Sequence, residues 1–245
     1  MSQNTRLSTA AGIAPPPPNP WKIGFAAVRA NIVPGMALWA LGVLILVCYF
    51  CIEPTRAFFN WLEEYQNRQG PWFSIASYDF FSAVVPLVFC FSLKSLRPPR
   101  PWWKAVLFAF GLWTLMGCSV KVLYWGLEQL YGKVSYPFGF NDYVILIKKI
   151  LTDQFVFSTF YGAPLVAISH FWRDRGYDFG AVRGVLRSKG WFKRMILPTL
   201  IMSWTIWIPA LCVMYSLPML LQSHIGGLVN GFWSLICLQI ANKSR

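Results

Sequence analysis

Charge is scarce in this sequence, and negative charge scarcest of all. Only 13% of the 245 residues are Asp, Glu, Lys or Arg; nine are acidic and two are histidine. A soluble domain of this length needs a far more polar surface, so the composition excludes the ordinary globular class. It also leaves little material for chemistry. His170 and His224 stand at opposite ends of their apolar runs, and no His, Cys or carboxylate spacing resembles a metal site. There is no H-E-x-x-H, no P-loop and no Ser–His–Asp set at a common depth. The chain is therefore expected to be neither an enzyme nor the holder of a metal or cofactor. Its six cysteines all lie among apolar neighbours. Cys48 and Cys51 spell C-x-x-C, but without a second pair or a strand–helix context, and they read as small span residues.

What the sequence has in abundance is apolar surface: 56% of residues are hydrophobic and 13 are Trp. The expected fold is an all-α polytopic transmembrane bundle. Residues 1–31 form a Pro-rich basic tail around Ala14-P-P-P-P-N-Pro20, a polyproline-type spacer. Its Arg6, Lys22 and Arg29, with no acid, suit either a weak organelle presequence or a tail held inside by its charge. The transmembrane domain occupies 32–245, with about six apolar runs: Ile32–Ile52, Trp72–Leu93, Trp102–Trp125, Ile150–Trp172, Met195–Leu217 and Met219–Ile240. Each is about 20 residues, enough to cross a ~30 Å hydrocarbon core.

The net charge of +13 raises the possibility of nucleic acid, but the basic residues form no nucleic-acid motif. They alternate with the apolar runs. Sixteen lie in the tail, Lys94–Lys104, Arg173–Arg194 and the C-terminal end; five lie in Glu53–Pro71 and the segment before Ile150; Lys121 is the remaining one. That asymmetry predicts six spans with both termini on the cytoplasmic or matrix side. Five of the nine acids (Glu53, Glu63, Glu64, Glu128 and Asp142) fall on the opposite side. Pro54–Arg68 and Tyr177–Trp191 are amphipathic and expected in the interface. The second, with Arg183, Arg187 and Lys189 against Phe179, Val182, Val185 and Leu186, is either a topology anchor or a reader of anionic lipid headgroups.

Polar residues inside the runs are the candidate site. Counting from the acidic side, Asp79 lies about 10 Å deep, Lys121 about 6 Å and Asp153 about 5 Å, with Gln154 beside it. A carboxylate within a span is costly and needs a partner. An Asp79–Lys121–Asp153 cluster would supply one, either as an ion pair locking three helices or as the lining of a solute path; separate snorkelling to the interface is the third possibility. Gly226, Gly227, Asn230 and Gly231 make a small-residue face, a helix-packing signal.

Four motifs carry a resemblance to a known family. They are Gly117-C-S-V-Lys121-V-L-Tyr124-W-G-Leu127-Glu128, then Lys148-Lys149-I-L-T-Asp153-Gln154-F-V-F, then Trp204-T-I-Trp207-I-Pro209, and finally Tyr215-S-L-Pro218 with Trp233 fifteen residues on. In this order and spacing, over about Arg100–Ser244, the chain resembles the family of the 22-kDa peroxisomal membrane protein and the inner-mitochondrial Mpv-type proteins. It departs from that family at Lys121, where a His is usual, and at Cys118, where a Pro is. Val213-Met214 replaces Asn-Phe, Gln222 replaces an Arg, and one residue is added before Pro209. The resemblance implies a small multi-span channel for small solutes or ions. Its partners would be the bilayer, such solutes and possible further copies of itself in a homo-oligomer. The membrane would be the inner one in a bacterium, and mitochondrial inner or peroxisomal in a eukaryote.

Overall fold

The computed structural model describes residues 19, 21–22, 25–26, 29, 32–92, 101–135, 138–217, 222 and 224–231. Among them every regular element is helical. We label them α1 (Ile32–Cys51), α2 (Glu53–Gln69), α3 (Pro71–Ser92), α4 (Trp102–Tyr131), α5 (Phe140–Asp174), α6 (Phe179–Arg187) and α7 (Phe192–Met214), followed by a helical stretch over 224–231.

Four helices, α3, α4, α5 and α7, are long and apolar enough to cross a membrane. The α1–α2 pair, bent by 98°, makes a fifth if taken as one broken span. Of the expected sixth run, Met219–Ile240, only 222 and 224–231 are described, so most of it, with Trp233, lies outside the described residues, as does Pro218. The outward faces stay apolar: Leu107, Val122 and Phe160 are 63%, 66% and 75% exposed. On a water-soluble bundle the outward stripe would be polar; here the pattern is compatible with a protein set in lipid.

The sharp bend has a local cause. Ile52 is extended, and Pro54 takes one of the first helical positions of α2, where its missing N–H costs nothing. The Arg56 guanidinium then reaches back to the carbonyls of Tyr49 (3.3 Å) and Phe50 (2.6 Å), serving acceptors left open at the end of α1. The two amphipathic segments are both helices. Asp178 starts α6 by accepting the Gly180 N–H at 2.6 Å.

Three spans depart from α geometry, and in the same way. Wide π turns occupy Phe80–Val84, Thr152–Gly162 and Phe192–Ile196. Each ends two residues before a proline: Pro86, Pro164 and Pro198. A helical proline lacks the N–H for its i−4 carbonyl, and its ring presses on that carbonyl. Widening the preceding turn moves the carbonyl aside and finds it another donor.

Packing directions follow from the contacts. Ser74 and Asp79 of α3 meet Lys121 and Thr114 of α4, so these helices are antiparallel. The α7 helix runs against α5, with Ala163 beside Leu200 at one end and Asp153 beside Tyr215 at the other. It stops at Met214, and the chain turns through Tyr215–Leu217, where the Gln222 amide donates to the Leu217 carbonyl at 2.9 Å. The expected antiparallel return then brings Gly226 next to Met214.

The small-residue face of that return packs on α3. A Cβ on Gly227 would stand 2.9 Å from the Tyr78 Cα, and one on Gly231 only 2.5 Å from the Phe81 carbonyl oxygen. Both neighbours are backbone, which cannot swing away. Gly231→Ala should therefore destabilise the protein by about 1–3 kcal/mol in thermal unfolding of the purified protein. Gly111→Ala, where a Cβ meets open space within α4, should be neutral or stabilising by up to about 1 kcal/mol. Equal effects at the two positions would show that the close approach to α3 is not made.

Candidate functional site

The long π segment of α5 carries two buried polar side chains. Asp153 is 5% exposed and Gln154 1%. They lie farther along their helix than expected, because α5 begins at Phe140, ten residues before the expected start. The Asp142 carboxylate explains the early start: it accepts the N–H groups of Gly139 and Ser135, both at 2.8 Å, and so caps the helix from within its first turn. Lys148 and Lys149 consequently lie inside the helix, and Asp153 lies roughly 20 Å along it.

Asp153 is held by neutral donors. The Tyr215 hydroxyl donates to one carboxylate oxygen at 2.5 Å, and the Gln154 amide donates to the other at 2.9 Å. Ser158 stands farther off, at 3.5 Å from Asp153 and 3.3 Å from the Gln154 nitrogen. The π geometry exposes the Gln154 backbone carbonyl, which accepts from the Trp204 indole (3.2 Å) and the Thr159 hydroxyl (3.0 Å). The Gln154 side-chain oxygen Oε1 is buried and has no hydrogen-bond partner.

Asp153, Gln154 and Ser158 line a cavity of about 100 Å³ between α3, α4, α5, α7 and the 224–231 helix. Its walls include five aromatic side chains, Tyr78, Trp113, Tyr124, Phe157 and Trp207, and Asn230 also lines it. Tyr124 meets the Tyr215 ring edge-on at a centroid separation of 5.5 Å.

The expected Asp79–Lys121–Asp153 cluster does not form; the three groups occupy three places. Neither aspartate lies within salt-bridge distance of Lys121. Lys121 donates instead to Ser74 Oγ (2.9 Å) and the Pro71 carbonyl (3.4 Å). Asp79 accepts from Thr114 at 2.6 Å, and its other oxygen is unpaired. Helix geometry explains the separation. At about 100° per residue, the α4 core stripe of Trp113, Met116, Val120, Tyr124 and Leu127 faces the cavity, while Thr114 and Lys121 sit roughly 90° round it, toward α3. Thr114 and Lys121 are also seven residues apart, which puts Asp79 roughly 10 Å from Lys121 along the helix axis.

Around Lys121 a second polar chain appears that sequence reading did not find. Ser74 also accepts from Gln66 of α2 at 2.6 Å. The Gln66 oxygen meets His224 Nε2, and His224 Nδ1 meets Ser77 Oγ at 2.6 Å. Gln66 and His224 are 158 residues apart, and no local pattern links them.

The other motif positions divide. Trp204, Trp207 and Tyr215 converge on the α5 site, and Gly117 lets Tyr78 approach to 3.0 Å of where its Cβ would be. Glu128 pairs with Lys133 at 3.4 Å on the periphery, and Pro209 lies within α7. The sequence signal missed for Asp153 was Tyr215: it stood out as a motif residue, but a partner was sought only among charged groups. Among the described residues no three His, Cys, Asp or Glu side chains gather as a metal site, and Cys48 and Cys51 are free thiols. No family model, no curated protein and no solved structure matches the chain.

Tyr215→Phe removes the shortest hydrogen bond to a buried carboxylate. It should cost about 1–3 kcal/mol of stability. In an Asp153→Asn background the same change should cost clearly less, and a double-mutant cycle of unfolding free energies measures the difference. A coupling of zero would separate the two side chains.

Proposed function

We propose that this chain is an integral membrane protein that gives small polar solutes a path through the bilayer, with the α5 cavity as its central station. The observation that carries the reading is a cavity with a few polar side chains, Asp153, Gln154, Ser158 and Asn230 among them, enclosed by helices whose outward faces are apolar. Polar groups at such depth are costly and tend to face water-filled routes. Non-α backbone turns within membrane helices also favour functional positions, and Asp153, Gln154 and Ser158 all sit on one. The Mpv-type resemblance points the same way, since of its motif residues Trp207 lines the cavity and Trp204 and Tyr215 bond to Gln154 and Asp153 of its wall. On this reading the chain has six spans and keeps both termini on the Lys/Arg-rich cytoplasmic or matrix side, in a bacterial inner membrane or a mitochondrial or peroxisomal one. The basic α6 helix rests on headgroups at that face.

A second reading, a membrane scaffold without transport, is favoured by the Lys121–Ser74–Gln66–His224 chain, which ties helices together and leaves no opening of its own. Flux separates the two. Purified protein in proteoliposomes should raise permeability to small polar solutes over protein-free vesicles. Ser203→Phe, which places a ring into the cavity from α7, should bring it back at least roughly tenfold toward background. Permeability equal to protein-free vesicles, or unchanged by Ser203→Phe, favours the scaffold.

A further inference from the structure

The α5 cavity is chemically one-sided, and this bears on what enters it. Among the described residues that line it there is one carboxylate, Asp153, and no Lys, Arg or His. The donors that hold Asp153 are a phenol, an amide and, more distantly, a hydroxyl, all neutral. An ionised carboxylate is an acceptor-only group, and this donor set serves that form. Among the described residues no Lys, Arg or His lies within salt-bridge distance of the Asp153 carboxylate. Beside it, Gln154 also belongs to the cavity lining, and its side chain, only 1% exposed, carries an acceptor, Oε1, that is buried and without a donor. Buried acceptors of this kind are few in native proteins and call for an account.

The remaining wall narrows the choice. Tyr78, Trp113, Tyr124, Phe157 and Trp207 present aromatic rings. Aromatic faces attract cations, and they favour organic ammonium groups, which shed water more readily than alkali ions. An anion would meet Asp153 with nothing to offset the repulsion. A neutral alcohol would serve Gln154 Oε1 and leave the charge uncompensated. The volume sets the size. At about 100 Å³ the space is smaller than the ~150 Å³ cavity that accepts benzene, so the ligand has only a few heavy atoms.

We propose that this cavity is a binding site for a small organic cation, a primary ammonium of one or two carbons. Asp153 is its counter-ion, Gln154 Oε1 its second acceptor and the aromatic rings its walls. The inference rests on reading the cavity as the solute site and names the class of solute. The ammonium donates to the Asp153 carboxylate and to Gln154 Oε1, so a carboxylate without a cation and an acceptor without a donor are served by one ligand. The Tyr215 hydroxyl keeps the carboxylate turned to the cavity.

The test is equilibrium binding of radiolabelled methylammonium to the full chain in lipid nanodiscs, which needs no transport. Saturable binding at one site per chain is expected, displaced by unlabelled methylammonium but not by ethanol at the same concentration. Asp153→Asn should weaken it at least roughly tenfold, since it removes a charge-assisted hydrogen bond. Trp207→Leu leaves the carboxylate and its donors in place and should weaken binding several-fold through loss of an aromatic wall; it carries the test if Asp153→Asn does not fold. Absence of saturable binding would overturn the proposal, as would parental affinity in both variants, or displacement by ethanol or sodium as effective as by methylammonium. Flux without binding would overturn this site and leave the permeation reading standing. Binding without flux would overturn permeation and leave the site.

Discussion

A hydroxyl from the end of one helix pins a carboxylate in the middle of another: Tyr215 to Asp153, across 62 residues of chain. The constraint behind it is that a buried carboxylate must be met by donors, and no cation is at hand. Meeting it sets where α7 stops, because Tyr215 has to stand just beyond Met214 to reach α5. It also sets the neighbours. Tyr124 packs edge-on against Tyr215, and Gly226 has no side chain, which leaves room for the Tyr124 hydroxyl 3.4 Å from where its Cβ would be. Phenols serve this purpose well, since they donate one hydrogen bond and are otherwise apolar, so they bring little unmet polarity with them.

The second polar chain solves a different problem by the same means. The α2 helix lies crosswise to α1, and a surface helix with exposed Phe58, Trp61 and Tyr65 has little to hold it beyond the apolar contacts of Phe59 and Leu62. Gln66 supplies the fixed point. Its amide gives to Ser74 and its oxygen meets His224, so α2 is tied both to α3 and to the final helix. Lys121 joins through Ser74 as a donor and not as a counter-charge. Several buried polar groups of the described bundle, Asp153, Asp79, Gln66 and His224 among them, are met by hydrogen bonds from other helices. Of its ion pairs, Arg68–Glu64 and Arg173–Asp174 are solvent-exposed, where such pairs contribute little to stability, and in Lys133–Glu128 the lysine is exposed and the glutamate mostly covered.

Much of this was legible in the residues. Apolar run length gave the long helices, amphipathic spacing gave α2 and α6, and Gly226, Gly227 and Gly231 announced a close helix contact. Asp153 and Gln154 stood out because the surrounding run made them expensive. What failed was the start of one helix and the direction of side chains on another. Counting from hydrophobic boundaries placed the start of α5 at Ile150, because Lys148 and Lys149 look like loop; the Asp142 cap and the apolar face of Tyr143–Ile147 override them. Grouping Lys121 with two aspartates used distance along the axis and neglected rotation about it, although the α4 stripe of Trp113, Val120 and Tyr124 was there to be read. The Gln66–His224 bond lay beyond any sequence argument, since nothing local joins residues so far apart.

The wide turns before Pro86, Pro164 and Pro198 have a consequence for how such a chain tolerates change in length. A π turn is geometrically an α-helix that has taken in an additional residue and kept its ends in place. Each of these spans therefore holds a spare residue upstream of its proline. Deleting one from Thr152–Gly162 would shorten the bulge into ordinary helix, with Phe140 and Asp174 still able to reach their loops. Deleting one from the regular helix of α4 would turn everything beyond it by about 100° and carry Tyr124 off the cavity. Length variation among sequences of this design is thus expected to concentrate upstream of the prolines, and alignments that force gaps into loops would misplace it.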